Sequence, residues 1–536
     1  MNLSRKVLRY FYTLRYLKVQ QIFYQFYFRL KKLGRRVFKM SSPLRVDNQG
    51  FTVNLSLCIP KELVYDKTCF CFLNRSYTFG DGLSNIDWEF SGYGKLWLYN
   101  LNYFDLLLQP GVTEETGVAL IESFLAALHQ ESVGLEPYPT SLRGINWIKF
   151  LSQCNLQRSD INGALYAHYT ILEHSLEYHL LGNHLLENAF SLLFGAFYFK
   201  EQRWFEKSRA LLVRELNEQI LGDGAHFELS PMYHQILLDR LLDCINLLQH
   251  NSLFITQVEL LTFLVDKAVV MLAWLKAMTF SNGSIPHLND STDGIAPTTT
   301  HLVEYADRLG IESSMLKAVC LKESGYRKFS TPRYECVVDV GAIGPLYIPG
   351  HAHADTLNFV LNVDGKPLLV DTAISTYEKN SRRDEERSTK AHNSVVVNCR
   401  NSSDVWGGFR VGRRASVNIL FDREDVVSAD HYGYKSIGAI HKRTWEFQEE
   451  QFCITDIITG LDEVVEAYFH FDHLLNPCLI AQTISTYSAD IDFEGAISIE
   501  FKTYKQAVGF NRMLDAKCAV VNFKNRLVTS IVCKKV

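Results

Sequence analysis

The strongest constraint on the fold is a change of hydrophobic periodicity near Pro332. For roughly two hundred residues before it, apolar residues recur at helical spacing and the links between the periodic stretches are short. After it, short alternating segments such as 334–340, 453–459 and 467–471 are bounded by Gly, Asn and Asp. That spacing is typical of an antiparallel β-sandwich. The sequence therefore predicts a helical region followed by a β region, with the boundary within 315–332.

Short links between helices favour antiparallel neighbours, and this number of helix pairs suggests an α/α toroid, a ring of helical hairpins around a central cleft. The candidate helices cover residues 115–130, 144–155, 161–181, 184–199, 204–221, 231–250, 256–279 and 298–310. We therefore predict an α+β multidomain protein. Its parts are a basic helical segment (1–40), an irregular lead-in (41–95), a toroid (96–315) and a β-sandwich (333–536).

Composition narrows the class of protein. A chain of 536 residues is too long for one hydrophobic core. The net charge of −4 gives no overall basic field for nucleic acid, so a polyanionic ligand would have to meet local Arg and Lys. The 12 Cys are scattered without a CxxC pair, which disfavours both a zinc finger and a secreted disulfide framework.

The N-terminal 40 residues hold eleven Lys and Arg and no acidic residue, interleaved with Tyr, Phe and Leu. Arg9, Arg15 and Lys18 interrupt any apolar core that a signal peptide would need. The sequence contains no run of about 18 apolar residues, so it predicts no transmembrane helix. Two interpretations remain open. One is a basic amphipathic helix on a membrane surface or an anionic glycan; the other is a helix packed on the main body with a solvated basic face.

The segment 350–398 combines imidazole and carboxylate groups with strand-like patterns. If the strand at 357–363 extends back as far as His351, the side chains of His351, His353 and Asp355 project from one face of it. Asp364-Gly365 predicts a hairpin turn. Histidine and carboxylate at the ends of adjacent strands are a ligand mix that suits zinc.

Two upstream segments could carry chemistry. In 182–188, Asn183 and His184 fall at a helix N-terminus, where the helix dipole favours an anion, although Gly-Asn is also an ordinary helix stop and cap. In 227–235, Ser230-Pro231 predicts a helix start that places Tyr233 and His234 in the first turn. A buried, hydrogen-bonded Tyr is the alternative there.

Two further segments are candidates for ligand contact. Residues 139–147 place Arg143, Asn146 and Trp147 at a predicted helix start, where they could line a cleft. The alternative is an ordinary helix N-terminus with a packed Trp and a solvent-exposed Arg. The polar loop 281–291 offers Asn289 and Asp290 to a ligand, although a solvated loop is the simpler interpretation.

The GHAHAD segment, Asp371 and the RST-x-x-HN-x-VVV segment, together with these upstream motifs, resemble the heparinase II/III-like polysaccharide lyases, of the heparin-sulfate and alginate lyase type. The resemblance covers roughly residues 90–480. It implies an incomplete toroid followed by a β-sandwich. It also implies cleavage of an acidic, uronate-containing glycan by β-elimination in the bacterial cell envelope or periplasm. No leader is visible, so a cytoplasmic or membrane-peripheral location is the alternative; the oligomeric state stays open.

The resemblance also implies roles for single residues. Tyr233 and His351 would be the acid–base pair, and Asn183 and His184 would neutralise the uronate carboxylate. Zinc would be held beside the active site by His353, Asp371 and a later histidine, either His392 or His431. The residues expected to contact substrate are Arg143, Asn146, Trp147, His234, Asn289, Asp290 and Arg387.

Two other functions remain as alternatives. A glycoside hydrolase on the same scaffold would need two carboxylates about 5–10 Å apart. Glu187, Glu228 and Asp290 are the candidates, and no pair stands out. The second alternative is a glycan-binding or assembly factor of a bacterial polysaccharide pathway that has lost turnover.

Overall fold

The structure is a computed structural model that describes residues 3–37 and 41–534. It begins with two helices, α1 (Leu3–Leu14) and α2 (Val19–Val37), followed by a small sheet of β1 (Tyr65–Asp66), β2 (Cys69–Phe72) and β3 (Arg75–Thr78). The helical region then comprises α3 (Lys95–Tyr103), α4 (Glu114–Ala127), α5 (Pro137–Gln153), α6 (Ser159–Glu173), α7 (Gly182–Phe199), α8 (Gln202–Gln219), α9 (Pro231–His250), α10 (Gln257–Met278) and α11 (Thr299–Arg308).

The β region follows. Its first sheet contains β4 (Tyr326–Ser330), β5 (Tyr334–Asp339), β6 (Phe359–Val363) and β7 (Lys366–Leu369). Next come α12 (Ser381–Glu386), β8 (Val395–Val396), β9 (Val405–Trp406) and β10 (Arg410–Val411). The remaining strands are β11 (Val417–Asp422), β12 (Val426–His431), β13 (Ile440–Phe447), β14 (Gln451–Thr459), β15 (Val465–His470), β16 (Cys478–Ile480), β17 (Thr483–Ser485), β18 (Ala489–Ala507) and β19 (Met513–Cys533).

The helical region is the predicted incomplete α/α toroid. Helix α7 is buried along nearly its whole length and packs against α5, α8 and α9, while α9 pairs with α10. Helix α9 begins where the sequence predicts: the Ser230 hydroxyl accepts a hydrogen bond from the Tyr233 backbone N–H, and Pro231 occupies the first turn.

The four-stranded sheet, in the order β4-β5-β6-β7, joins the two regions, and its central strands β5 and β6 are buried on both faces. Successive side chains of a strand point to opposite faces. Thus Val337 and Val360 belong to the helical core, whereas Cys336 and Leu361 belong to the core of the sandwich. Burial on both faces fixes the sandwich against the toroid and sets the loops before and after β6 at their junction.

The second layer of the sandwich is an antiparallel sheet that runs from β11 through β14 and β19 to β16, with β15 branching from β19 and β8 pairing with β15. Its inner face shares one apolar core with the four-stranded sheet, including Trp445, Phe469 and Val521. The predicted hairpin at Asp364-Gly365 is confirmed, since Val363 pairs with Lys366 and both turn residues have positive φ.

Both N-terminal helices lie against the main body. In α1, Arg9 binds Asp404 through two nitrogens at 2.9 and 2.7 Å, and in α2 the Tyr24 ring stacks on Tyr178 at 4.7 Å. Within the described residues, no helix combines the length and the apolar character that crossing a membrane requires.

Candidate active site

The tyrosine and the histidine proposed as an acid–base pair meet at the junction of toroid and sandwich. The ring centroids of Tyr233 and His351 are 3.9 Å apart, with an interplanar angle of 32°. Tyr233 comes from the first turn of α9 and His351 from the loop before β6. The Tyr377 hydroxyl donates to the Tyr233 oxygen at 3.2 Å, so a second phenol, from the segment after β7, touches the first.

The GHAHAD segment is a loop and not the start of a strand, which corrects the sequence prediction. Strand β6 begins only at Phe359, and the loop before it is held by hydrogen bonds instead of a ladder. The Thr389 hydroxyl and the Arg387 backbone carbonyl contact the backbone of Ala354, and the Arg387 guanidinium donates twice to the Ala352 carbonyl. His351 and His353 therefore take their directions from this loop and not from the alternation of a strand.

Asp290 organises both histidines. Its carboxylate lies 2.8 Å from the His351 Nδ1 and 2.8 Å from the His353 Nε2, and the buried Arg383 binds it through two nitrogens at 2.5 and 2.7 Å. Burial would raise the pKa of Asp290, but Arg383 and the hydrogen bonds from both histidines outweigh it and hold that pKa well below its usual value. Asp290 is thus an ionised carboxylate that orients His351, and not an exposed group for substrate.

A second carboxylate faces the other nitrogen of His351. The Glu228 Oε2 lies 3.4 Å from the His351 Nε2, and the Asn183 Nδ2 lies 3.4 Å from the same nitrogen. Asn183 donates its amide to both Glu228 oxygens, at 3.1 and 2.9 Å, and its backbone N–H to Oε1. Asn183, Glu228, His351 and Asp290 therefore form one continuous buried network.

His184 lies beside this network and is more open, with its side chain 32% exposed. Its Nδ1 is 3.0 Å from the Glu177 carboxylate, and its ring packs against Tyr138 at 4.7 Å. Although burial disfavours the charged ring, Glu177 outweighs it and raises the pKa of His184 above its usual value. Glu177 thus favours the protonated form of this partly exposed ring next to Asn183.

Burial also sets the protonation of the phenol. It raises the pKa of Tyr233 above the ordinary value for tyrosine, and the hydrogen bond from Tyr377 offsets only part of that rise. Burial therefore favours the protonated phenol of Tyr233 over the phenolate.

Several residues next to these groups have a left-handed backbone although they are not glycine. Such conformations cost of order 1–3 kcal/mol each and persist only where the surroundings enforce them. Those beside the site, with φ between 53° and 66°, are Leu181, Leu229, Asn289, Leu357 and Ala373. Each lies within two residues of one of the polar residues described above or of Asp355 or Asp371. The strain indicates that side-chain direction here is fixed by the whole fold.

Four of the residues expected to contact substrate are in the core instead. Arg143 is fully buried against the Phe124 and Trp147 rings, and burial lowers its pKa to about 9. Asn146 donates to the Tyr103 carbonyl and to Asp105, and His234 lies against Trp274 with its Nε2 3.0 Å from the Met271 carbonyl. Helix α5 begins at Pro137, so Arg143, Asn146 and Trp147 lie in its middle and face the toroid core. His234 turns into the core from the first turn of α9.

Asn289 and Arg387 are also not placed to receive a ligand. Asn289 donates to the Leu229 carbonyl and to Tyr326, and its own oxygen accepts from the His353 backbone N–H. Arg387 is buried and bound to the Ala352 carbonyl. Both residues hold the histidine loop in place, so their side chains are positioning groups.

Sequence reasoning missed three contributors: Arg383, Tyr377 and the site role of Glu228. Glu228 was named only as a hydrolase candidate, although it stands five residues before Tyr233 in the same segment. Arg383 and Tyr377 sit in a polar stretch that looks solvated, and no local pattern distinguishes them from exposed neighbours.

The residues expected to hold zinc come together in part. The His353 and His392 rings are 5.3 Å apart, and the His353 Nδ1 and the His392 Nε2 are buried without a hydrogen-bond partner. The Asp371 Oδ2 is engaged by the His392 Nδ1 and the Asn358 Nδ2, both at 2.7 Å. In the portion of the chain that the structure describes, no three His, Cys, Asp or Glu side chains form a ready-made metal site. The alternative ligand His431 instead bonds His441 at 3.1 Å in the sandwich core.

Family models and solved structures match this architecture. The heparinase II/III N-terminus model covers residues 141–308, and the heparinase II/III-like C-terminal model covers residues 317–500. A heparin-sulfate lyase from Bacteroides stercoris is 24% identical over 315 residues, which are 53% of this chain and 44% of that protein. The match thus spans less than half the length of that relative.

Three solved structures share the fold. A heparinase III superposes with a TM-score of 0.63 at 14% identity, over 85% of this chain and 80% of the other. A heparan sulfate lyase mutant from Pedobacter heparinus gives 0.57 at 16%, over 88% and 82%. A Streptomyces coelicolor chondroitin AC lyase in complex with chondroitin sulphate gives 0.51 at 10%, over 82% and 74%. Because the two family models match consecutive parts that together cover most of the chain, the protein belongs to the heparinase II/III-like family.

Proposed function

We propose that the protein is a polysaccharide lyase that cleaves an acidic, uronate-containing glycan by β-elimination. The observation that carries this proposal is the contact of the Tyr233 phenol with the His351 imidazole, 3.9 Å between ring centroids, beside the Asn183 amide. Elimination needs a proton acceptor, a proton donor and a group that stabilises a uronate carboxylate, and these are three such groups in one place.

The reaction balances without water. A base takes the C5 proton of the uronate, the electron pair forms the C4–C5 double bond, and the bond from C4 to the bridging oxygen breaks. An acid then returns one proton to the leaving oxygen. General acid–base catalysis of this kind contributes about 10²–10⁴-fold.

Tyr233 is the better donor and His351 the better acceptor. Burial raises the pKa of Tyr233 and so disfavours the phenolate that a base would require, which leaves the phenol the role of donor to the leaving oxygen. Asp290 accepts from the His351 Nδ1–H and thereby leaves Nε2, on the side of Asn183, as the position that accepts the C5 proton. The ionised Asp290 also stabilises the imidazolium that results.

Asn183 and His184 are the proposed neutralisers of the uronate carboxylate. The partly exposed His184 supplies positive charge, since Glu177 raises its pKa. The Asn183 amide is held in a fixed direction by Glu228. Donors that are preorganised where negative charge develops lower the barrier without reorganising during the reaction.

Zinc is a separate part of the proposal. The unpartnered, buried nitrogens of His353 and His392 fit a cation that accepts imidazole ligands, and Asp371 would be the third ligand after exchanging its contact with His392. The ion would fix the loop that carries His351 and would take no part in proton transfer. Elemental analysis of purified protein should find about one zinc per chain, and chelation should lower the melting temperature. His392→Ala should abolish both the zinc content and that effect, whereas a control variant, His301→Ala at an exposed position of α11, should retain both.

One assay separates the three candidate functions. Incubation with uronate polymers should give a product that absorbs in the ultraviolet, because elimination creates a double bond conjugated to the carboxylate. A hydrolase would release reducing ends without that absorbance, and a binding factor would do neither. The hydrolase is disfavoured because Glu228 and Asp290 are committed to Asn183, His351 and Arg383.

A further inference from the structure

The N-terminal helix pair turns its most apolar stripes away from the protein. In α2 the residues that contact the main body are polar or aromatic, such as Gln21, Tyr24 and Phe28. The opposite stripe is aliphatic and aromatic, with each side chain at least 41% exposed: Val19, Ile22, Phe23, Phe26, Tyr27, Leu30, Leu33 and Val37. These positions recur at intervals of three or four, so they form one continuous face of the helix.

Helix α1 repeats the arrangement. Its inward contacts are Arg9 to Asp404 and Thr13 to the Trp406 indole N–H at 3.2 Å, and Tyr16, just after the helix, lies beneath the Arg414 guanidinium. Its exposed large side chains include Val7, Leu8, Phe11 and Leu14, which share the other face. A soluble monomer rarely leaves contiguous apolar patches of this kind uncovered. Exposed faces of this kind mark interaction sites and call for an occupant.

The charge of the segment decides which occupant. Residues 1–40 contain eleven Lys and Arg and no acidic residue, in a chain whose net charge is −4. Exposed cations such as Lys6, Arg15, Arg29 and Lys32 stand among the apolar side chains. A second copy of the chain would bring two such sets of cations together, which like-charge repulsion opposes.

We propose that α1 and α2 dock the protein on a membrane surface that carries anionic lipids, with their exposed apolar side chains inserted between the headgroups. A helix with a large apolar face and a cationic remainder lies in the membrane interface and does not span it. Each Lys or Arg near an anionic leaflet strengthens the attraction. The surface is independent of the proposed lyase activity, since none of its residues belongs to the site.

The docking face lies close to the candidate active site. Helix α1 rests on the β9–β10 hairpin, and Phe409 in the turn of that hairpin packs 6.4 Å from the His351 ring and 5.3 Å from the Tyr377 ring. Helix α2 rests on the segment before α7, where Lys31 donates to the His174 carbonyl at 2.7 Å.

Vesicle co-sedimentation tests the proposal with the full chain. The protein should bind vesicles of phosphatidylcholine mixed with phosphatidylglycerol, bind phosphatidylcholine alone far more weakly, and lose affinity as salt rises. Arg29→Gln combined with Lys32→Gln should weaken binding by about tenfold or more. The matched control, Lys67→Gln with Lys435→Gln, removes two exposed charges elsewhere and should bind normally.

A second pair of variants separates apolar insertion from simple charge attraction. Phe26→Ser with Leu30→Ser and Leu33→Ser should abolish binding, whereas Ile255→Ser with Leu346→Ser and Leu474→Ser, three exposed apolar side chains elsewhere, should not. Circular dichroism should be unchanged in all variants, because the altered side chains are exposed. Equal binding to neutral and anionic vesicles would overturn the proposal. So would a dimer in solution that only the first triple variant dissociates, with no vesicle binding.

Discussion

Asp290 and Arg383 form a two-nitrogen ion pair, at 2.5 and 2.7 Å, with both side chains wholly buried where the toroid meets the sandwich. The pair joins the loop after α10 to α12 across 93 residues of sequence. The same carboxylate is also hydrogen-bonded to His351 and His353. The ion pair therefore couples the packing of the two regions to the orientation of His351, the proposed base.

Asp290→Asn should therefore damage both activity and stability. Without a carboxylate to accept from Nδ1–H, the His351 imidazole can carry its proton on Nε2 instead, where it cannot act as the base. A comparable change in a catalytic triad lowers kcat by about 10⁴-fold. It also leaves Arg383 buried without its carboxylate, which costs about 3–5 kcal/mol. Kinetics and thermal unfolding measure the two effects. Asp293→Asn, in an exposed pair with His287, is the control and should change neither by much. Full activity in Asp290→Asn would disprove the orienting role.

Tyr233→Phe removes the proposed proton donor and leaves the ring packing in place. Turnover should fall by about 10²–10⁴-fold with little change in melting temperature. Tyr377→Phe removes only the hydrogen bond to the Tyr233 oxygen, so turnover should fall by less than in Tyr233→Phe. Product absorbance gives both rates. Normal cleavage by Tyr233→Phe would mean that the tyrosine assignment is wrong.

Glu187 should make stability depend on pH. Burial raises the pKa of this carboxyl to about 7, with Arg240 offsetting part of the effect. The folded state therefore holds its proton more tightly than the unfolded state, where the pKa is about 4.3. The stabilising contribution is complete below the unfolded pKa and is lost as pH rises through about 7.

Glu187→Gln should abolish that dependence. The melting temperature of the unmodified protein should fall more between pH 5 and pH 8 than that of the variant, by an amount equivalent to roughly 2–3 kcal/mol. Glu259→Gln, at an exposed position of α10, is the control and should behave like the unmodified protein. Parallel curves for all three proteins would rule out the raised pKa.

Substitution of Arg143 tests whether this residue is part of the core or a contact to the substrate. Burial lowers its pKa to about 9, its Nε has no partner, and its two hydrogen bonds are long at 3.4 Å. Replacing a poorly compensated buried charge with an apolar side chain of similar volume is often stabilising by about 1–4 kcal/mol. Arg143→Met should thus raise the melting temperature and leave KM unchanged.

The control for that substitution is Arg327→Met. Arg327 binds Asp422 through two nitrogens at 3.0 and 2.8 Å, so this variant should lower the melting temperature. A higher KM in Arg143→Met, with the stability preserved, would restore the original interpretation of Arg143 as a substrate-binding cation.

Sequence alone determined the architecture and the place of one site residue, Tyr233. Hydrophobic periodicity reports which face of an element is buried, and capping residues report where it begins; hence the helices, the change near Pro332 and the Ser230-Pro231 start that carries Tyr233 could be predicted. The pairing of Tyr233 with His351 was expected only through the family resemblance, which rests on the GHAHAD segment and the other quoted motifs.

Tertiary structure decided what each polar side chain does. Arg143 and Arg383 both look like exposed cations in the sequence, yet one is enclosed by aromatic rings and the other by a carboxylate 93 residues away. A local pattern cannot specify contacts between distant segments, because burial of a charge depends on which partners the rest of the fold brings to it. For the same reason, the sequence does not specify which face of α2 packs on the main body, and only the tertiary structure shows that its apolar face points outward.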